Sequence, residues 1–305
     1  MPAASDHLFR FAQISDLHMP GPELEAADDA ASGRAQRSRW LIDACAGNGE
    51  LPPLDFILGV GDFVQGDDAA SVSTELELFA SMVRKTEVPF YPVLGNHDYD
   101  AGNTEAERRF LESCNQPAAS YSFQHRDVAF IMLDDRPLAS PEERNQRTAW
   151  LRTTLEHHGS APKILCAHGP LVPLRDQRSM DRVGGEGVGP VTAETLEVVE
   201  DHASSVLAVL SGHLHLSGFR CTRSIFHICT AGTATFPCDF ALYTVYDDRI
   251  EVEVRQLPLD LLPEPVTSGY SRERLGAELI DDEHATNIEF IMGTYDERRF
   301  VIPMK

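Results

Sequence analysis

Five short polar segments, each placed just beyond an apolar run, constrain this chain more than anything else in it. They read Ile14-Ser-Asp-Leu-His18, Gly61-Asp62, Gly95-Asn-His-Asp98, Ala167-His168-Gly169 and Gly212-His-Leu-His215. The runs before them, Leu8 to Ile14, Phe56 to Val60, Phe90 to Leu94, Lys163 to Ala167 and Val206 to Leu210, are short and bounded by turn residues, the signature of buried strands. The ends of neighbouring strands converge on one edge of a sheet, where ligand sites form. Residues far apart in sequence are thereby expected to meet. In Asp16-x-His18 and His213-x-His215 the spacing of two lets an extended backbone point both side chains to one side. Gly61, Gly95 and Gly212 precede ligand-bearing turns, where a residue without Cβ permits a sharp bend or a close approach.

Amphipathic stretches alternate with the runs. Candidate helices are Arg34 to Ala46, Ala70 to Lys85, Thr104 to Ser113, Pro141 to His157 and Thr192 to Asp201, with Val128 to Leu133 as one more strand. Pro141 suits a first helical turn, and Ser140 is placed to cap it. After His215 the pattern changes to Phe219 to Thr222, Ile225 to Thr230, Ala241 to Tyr246 and Ile250 to Gln256, consecutive strands of which the last two join through a tight Asp247-Asp248-Arg249 hairpin. Beyond Leu257 come Pro258, Pro263 and Pro265, and apolar residues become sparse. Residues 1–257 therefore read as one domain and 258–305 as a C-terminal extension. Its role stays open between packing on the domain, exchange with a second subunit in a homo-oligomer, and lying loosely over the site.

A chain of 305 residues, 42% hydrophobic and 24% charged, has the composition of a soluble globular protein and is long enough to bury a sizeable core. Its net charge of -22 repels polyanions, so a large nucleic acid is not an expected partner. The six cysteines form no close Cys-x-x-Cys pair and several sit in apolar surroundings, as reduced, buried thiols of a cytosolic protein do. No segment approaches the ~20 apolar residues that cross a bilayer, and the N-terminus lacks a secretory pattern. A cytoplasmic protein without membrane association is expected.

Taken in order, the five segments resemble the calcineurin-like metallophosphoesterase superfamily, particularly its bacterial class III cyclic-nucleotide-phosphodiesterase-like branch, over roughly residues 8–255. The resemblance implies an α/β fold, a four-layer α/β/β/α sandwich of two mixed β-sheets flanked by helices. It also implies two divalent metal ions. One would take Asp16, His18 and His215, the other Asn96, His168 and His213, and Asp62 would bridge them. Carboxylate, amide oxygen and imidazole donors suit Mn, Fe or Zn without choosing among them. His97 becomes the group that contacts the phosphate and protonates the leaving oxygen, a role imidazole can fill near neutral pH. Asp98 could orient His97 and set its tautomer, or cap backbone amides in the turn. The implied reaction is phosphoester hydrolysis with metal-held hydroxide as nucleophile. A phosphodiesterase for small phosphodiesters or cyclic nucleotides is favoured, with a phosphomonoesterase of the same fold as the alternative and a non-catalytic scaffold or nuclease behind it.

Two regions outside the motifs bear on substrate choice. The long connection from Gly169 to Pro190 carries Arg175, Arg178 and Arg182, candidate contacts for the substrate phosphate or a second anionic group. Its Gly184-Gly-Glu-Gly-Val-Gly189 run lacks the setting of a nucleotide loop and reads as flexibility. The stretch Met19 to Ser38, with Pro20, Pro22 and its acid-rich middle, reads as an exposed surface insert beside the site. Of the other histidines, His157 and His158 suit a helix C-terminus, and His7, His125, His202, His227 and His284 are expected on the surface or in packing.

Overall fold

The computed structural model describes residues 7–99, 104–116, 118–138, 140–176, 193–263 and 283–304. In the first strand, β1 (Phe9–Ile14), Phe9 and Phe11 point into one apolar layer while Ala12 and Ile14 point into another. Burial on both faces marks a strand in the middle of stacked layers. Parallel to it run β2 (Phe56–Val60) and β3 (Phe90–Val93), while β10 (Asp239–Val245), β11 (Arg249–Gln256) and β12 (Arg299–Pro303) extend the sheet antiparallel on its other side. The second sheet has the order β4 (Tyr121–His125), β5 (Val128–Met132), β6 (Lys163–Cys166), β7 (Val206–Ser211), β9 (Ile225–Cys229), β8 (Gly218–Thr222), with β5, β6, β7 and β9 parallel. Both sheets are mixed.

Three apolar layers hold these sheets. Between them lie Phe9, Phe11, Phe56, Leu58, Phe130 and Tyr243, with the Phe11 ring stacked on Tyr243 at 4.5 Å and on Phe56 at 5.2 Å. Outside the first sheet pack α2 (Asp29–Cys45), α3 (Ala69–Val83) and α4 (Thr104–Ser113), through residues such as Leu41, Phe79 and Phe110. Outside the second pack α5 (Pro141–His157) and α6 (Ala193–Asp201), through Leu151, Leu155 and Val199. This is the four-layer α/β/β/α sandwich. Ser140 caps α5 as its sequence suggests, accepting from Glu143 N–H at 3.2 Å while Pro141 opens the helix. No helix among the described residues is long and apolar enough to cross a membrane.

The stretch Met19 to Ser38 corrects the expectation of an exposed insert. It folds as α1 (Pro22–Ala27) followed by the first turns of α2, with Ala31, Ala35, Arg37 and Ser38 buried. Asp28 caps α2 by accepting from Ala31 N–H at 2.6 Å, and Arg37 donates to Thr233 O at 2.7 Å and Ala234 O at 2.9 Å. The acidic residues that suggested an insert occupy only the outer face.

In the C-terminal extension, β12 pairs with β11, and α7 (Asn287–Met292) and α8 (Tyr295–Arg298) pack near the loop after β7. Glu297 is the polar hub there, bonded to Arg175 Nη1 at 2.7 Å, His284 Nε2 at 2.9 Å and Thr294 N–H at 2.8 Å. Burial pushes its carboxyl up, but His284, Arg175 and the Thr294 amide outweigh burial and hold it at about 2, against an ordinary 4.5. A depressed carboxyl pKa contributes stability that is present above the ordinary value and lost as pH falls toward the folded one. Thermal melts of the wild type and Glu297→Gln are expected to differ at pH 7, with the gap narrowing below about pH 4.5. A gap that stays constant with pH would show that the Glu297 charge is not what stabilises this packing.

Candidate metal centre

Each ligand candidate lies just past the C-terminal end of a strand in one of the parallel cores. Asp16 and His18 follow β1, Asp62 follows β2, Asn96 and His97 follow β3, His168 follows β6, and His213 and His215 follow β7. Gln13, a buried polar residue on β1, ties the two sheet edges together. Its Nε2 donates to Ser211 O at 2.8 Å, and its Oε1 accepts from Tyr243 Oη at 2.6 Å.

The local backbone differs from the extended dipeptide geometry expected for the Asp-x-His and His-x-His pairs. Asp16, His18, Asp62, His213 and His215 all have positive φ, between 44° and 69°, and account for five of the eleven non-glycine residues in that region among the described residues. Asp and His tolerate the left-handed region better than most residues, though it still costs of order 1–3 kcal/mol each. Such strain is retained where the surroundings over-determine it, as they do here. Leu17 between the first pair is fully buried, and Asp16 Oδ1 and Oδ2 each accept from His213 N–H at 3.0 Å.

The side chains converge. His18 Nε2 lies 3.2 Å from His215 Nε2, and His215 Nε2 lies 3.4 Å from Asp16 Oδ1. Asp62 Oδ2 stands 3.6 Å from His18 Nε2 and 3.2 Å from His168 Nε2, which is itself 3.2 Å from Asn96 Oδ1. Three groups with metal-ligand spacing result: Asp16, His18 and His215; His18, Asp62 and His97; Asp62, His168 and His213. Asp62 belongs to two of them.

The hydrogen bonds on the far side of the rings decide what this arrangement can hold. His168 Nδ1 faces Val60 O at 2.9 Å, and a carbonyl can only accept, so the proton sits on Nδ1. In the neutral ring Nε2 then presents a lone pair toward the oxygens of Asp62 and Asn96, an arrangement that a cation between them would satisfy. Ligand arms of about 2.0–2.2 Å place neighbouring donor atoms roughly 3–3.6 Å apart, as here. His215 is held from behind by Thr235 Oγ1 at 3.2 Å from Nδ1. The donor set therefore fits divalent metal ions.

The buried charges act on one another. Burial would raise Asp16 and Asp62, but His215 holds the first below the usual carboxylate range and His168 the second. Burial opposes charge on His168, yet Asp62, Asp16 and Asp135 raise it well above the usual imidazole value. His18 is driven by burial down to about 3.

His97 is oriented differently from the sequence expectation. Its Nδ1 meets Gln65 O at 2.6 Å, which fixes the tautomer through a backbone carbonyl, and its N–H donates to Asp62 Oδ1 at 2.9 Å. Asp98 does not carry out the orienting role. Its fully buried carboxylate accepts from Phe63 N–H at 2.7 Å, Val64 N–H at 3.2 Å and Gly95 N–H at 2.8 Å, capping the two turns that carry Asp62 and Asn96. Burial and the neighbouring Asp62 push its pKa up to about 7.

Arg175 is likewise corrected. It is 1% exposed and bonded to Phe290 O, Leu174 O, Ser217 O and Glu297, so its guanidinium is committed to the fold rather than to substrate. Arg178, Arg182 and the Gly184–Gly189 run lie outside the described residues. Two supports were not foreseen from the sequence. Glu75 accepts from Gly21 N–H at 2.7 Å and Gly66 N–H at 2.8 Å, tying together the loops after His18 and after Asp62, and Asp135 accepts from Gly169 N–H at 2.6 Å beside His168. Neither stands next to a motif, so no sequence signal marks them.

Gly61 makes one point testable. At φ +83° an added Cβ would sit 2.4 Å from His168 Nδ1. Gly61→Ala should cost at least about 2 kcal/mol, through the unfavourable φ and the displaced imidazole. Denaturant unfolding that finds the variant as stable as the wild type would contradict the packing described.

The profile of calcineurin-like phosphoesterases matches residues 9–217. Among solved structures, the fold is similar to GAP50, the anchor in the inner membrane complex of Plasmodium, with TM-score 0.57 and 15% identity over 82% of this chain and 85% of that one. It is also similar to the phosphopantetheinyl hydrolase PptH of Mycobacterium tuberculosis, with TM-score 0.47 and 14% identity over 73% of this chain and 89% of that one. At 15% identity the likeness to GAP50 is one of fold. No curated protein matches the chain in sequence.

Proposed function

This chain belongs to the calcineurin-like phosphoesterase family, and on that premise we propose that it is a dinuclear metal-dependent phosphodiesterase acting on small phosphodiesters, cyclic nucleotides among them. Asp16, His18 and His215 would hold one ion, Asn96, His168 and His213 the other, with Asp62 shared. The observation that carries the reading is the cluster of lone-pair donors around Asp62 Oδ2, with His168 Nε2 at 3.2 Å and His18 Nε2 at 3.6 Å. When bound, a pair of divalent ions supplies Lewis acidity toward the phosphoryl oxygens and lowers the pKa of water.

The protein's own groups do the rest. Gln65 O takes the Nδ1 proton of the His97 ring, so that in the imidazolium form Nε2 is the atom that gives a proton to the departing alcohol oxygen. The Asp62 to His97 backbone bond fixes that ring relative to the shared carboxylate, so acid and ligands move as a unit. Preference for the diester rests on the resemblance to the bacterial cyclic-nucleotide branch. It is supported by the commitment of Arg175 elsewhere, which removes one guanidinium from pairing with the second charge of a monoester.

Fold alone does not select catalysis, since similar folds serve other roles. The complete donor set favours the enzyme. With Mn added, kcat/KM for bis-p-nitrophenyl phosphate is expected to exceed that for p-nitrophenyl phosphate by about tenfold or more, a difference of about 1.4 kcal/mol in transition-state binding. Hydrolysis of the monoester alone would reject the diester preference, and hydrolysis of neither by metal-loaded protein would reject the enzyme.

A further inference from the structure

The loop carrying His213 and His215 is packed from behind by the C-terminal segment. Leu214, between the two histidines, and Leu216 after them are buried against Phe290 and Ile291 of α7, both 0% exposed, together with Leu174 and Cys229. Ser217 N–H donates to Ile291 O at 2.8 Å. Arg175, from the loop that follows His168, clasps the same point, with Nη2 to Ser217 O at 2.6 Å, Nε to Phe290 O at 2.8 Å and Nη1 to Glu297 Oε1 at 2.7 Å. The fit leaves no slack, since a Cβ on Gly218 would lie 2.6 Å from Arg175 Nη1, Arg175 Nη2 and Glu297 Oε1.

A second tether starts at Arg298. It makes a two-point bond to Asp239, Nη1 to Oδ2 at 2.7 Å and Nη2 to Oδ1 at 2.9 Å. Asp239 Oδ2 accepts in turn from Ser217 Oγ at 2.8 Å, and that oxygen accepts from Ala231 N–H at 3.0 Å. The segment after Ala231 supports the other side of the site, because Thr233 N–H and Ala234 N–H donate to Asp16 O and Thr235 Oγ1 backs His215. A planar two-point guanidinium bond fixes direction as well as distance.

We propose that residues 284–298, with Arg175, form a clamp that sets the positions of His213 and His215, so that metal affinity depends on a C-terminal segment that contributes no ligand. The inference rests on the metal reading given above. Arg298, Arg175 and Glu297 are positioning residues, acting on the ions only through the loop they hold. Groups that orient ligands from behind typically control metal affinity by about 10–100-fold.

The test uses full-length, metal-free protein titrated with Co(II), read by its visible absorption, for the wild type, Arg298→Met, Arg298→Lys and Glu297→Gln. Arg298→Met is expected to weaken Co(II) binding by about 10–100-fold and alter the ligand-field bands, with Arg298→Lys recovering part of the loss. Glu297→Gln, which keeps an acceptor for Arg175 but removes the charge, is expected to weaken binding less, and it carries the test if Arg298→Met does not fold. Folded variants with wild-type affinity and spectrum, whatever their melting temperature, would overturn the clamp while leaving the metal reading intact. A wild type that takes up no Co(II) would overturn the metal reading and the clamp with it.

Discussion

Asp62→Asn is expected to abolish metal-pair function, lowering kcat/KM by about 10³-fold or more, or about 4 kcal/mol of transition-state stabilisation. The substitution is nearly isosteric. Its amide oxygen can still accept from His97 N–H where Asp62 Oδ1 does at 2.9 Å, so the turn should survive. What changes is the atom between the two imidazoles. An NH2 group then stands where Oδ2 lies 3.2 Å from His168 Nε2 and 3.6 Å from His18 Nε2, and it cannot ligate a cation. Elemental analysis should find fewer than two ions per chain, with the secondary structure by circular dichroism unchanged. Full activity in this variant would remove Asp62 from the centre of the account.

The second large effect is expected at His97. His97→Ala should lower kcat/KM for an alkyl diester by about 10²–10⁴-fold, the range of a positioned general acid. The loss should be much smaller for bis-p-nitrophenyl phosphate, because p-nitrophenolate departs without a proton. Metal stoichiometry should be unchanged. That combination separates an acid from a ligand, a distinction the geometry poses directly, since His97 also lies within ligand spacing of His18 and Asp62. Loss of metal with equal rate loss for both leaving groups would make His97 a ligand and contradict its role as acid.

The sequence made the parallel cores and their convergence readable because each motif sits at the end of a run too apolar and too short to be anything but a buried strand. It was less informative where burial is partial. β4 escaped notice because only Tyr121 of its five residues is buried, so no apolar run announces it. β12 escaped because only Ile302 of its five residues is buried, and the short α7 and α8 because their contacts depend on Arg298, Glu297 and two buried apolar side chains, not on periodicity. Arg175 was misread for a related reason. A guanidinium in a polar loop of an acidic chain looks available until the carbonyls of Ser217 and Phe290 are seen around it. Asp98 stayed open between orienting its sequence neighbour and capping backbone amides, because the three amides that claim it come together only through the fold. Ligand types are written in the motifs; what supports them comes from distant residues.

Anomalous diffraction from crystals grown with Mn tests the central claim most directly. The account predicts two peaks about 3.5–4 Å apart, the spacing of two-metal hydrolytic sites, one beside Asp16, His18 and His215, the other beside Asn96, His168 and His213, with the Asp62 carboxylate between them. A single peak, or none, among these residues would contradict it.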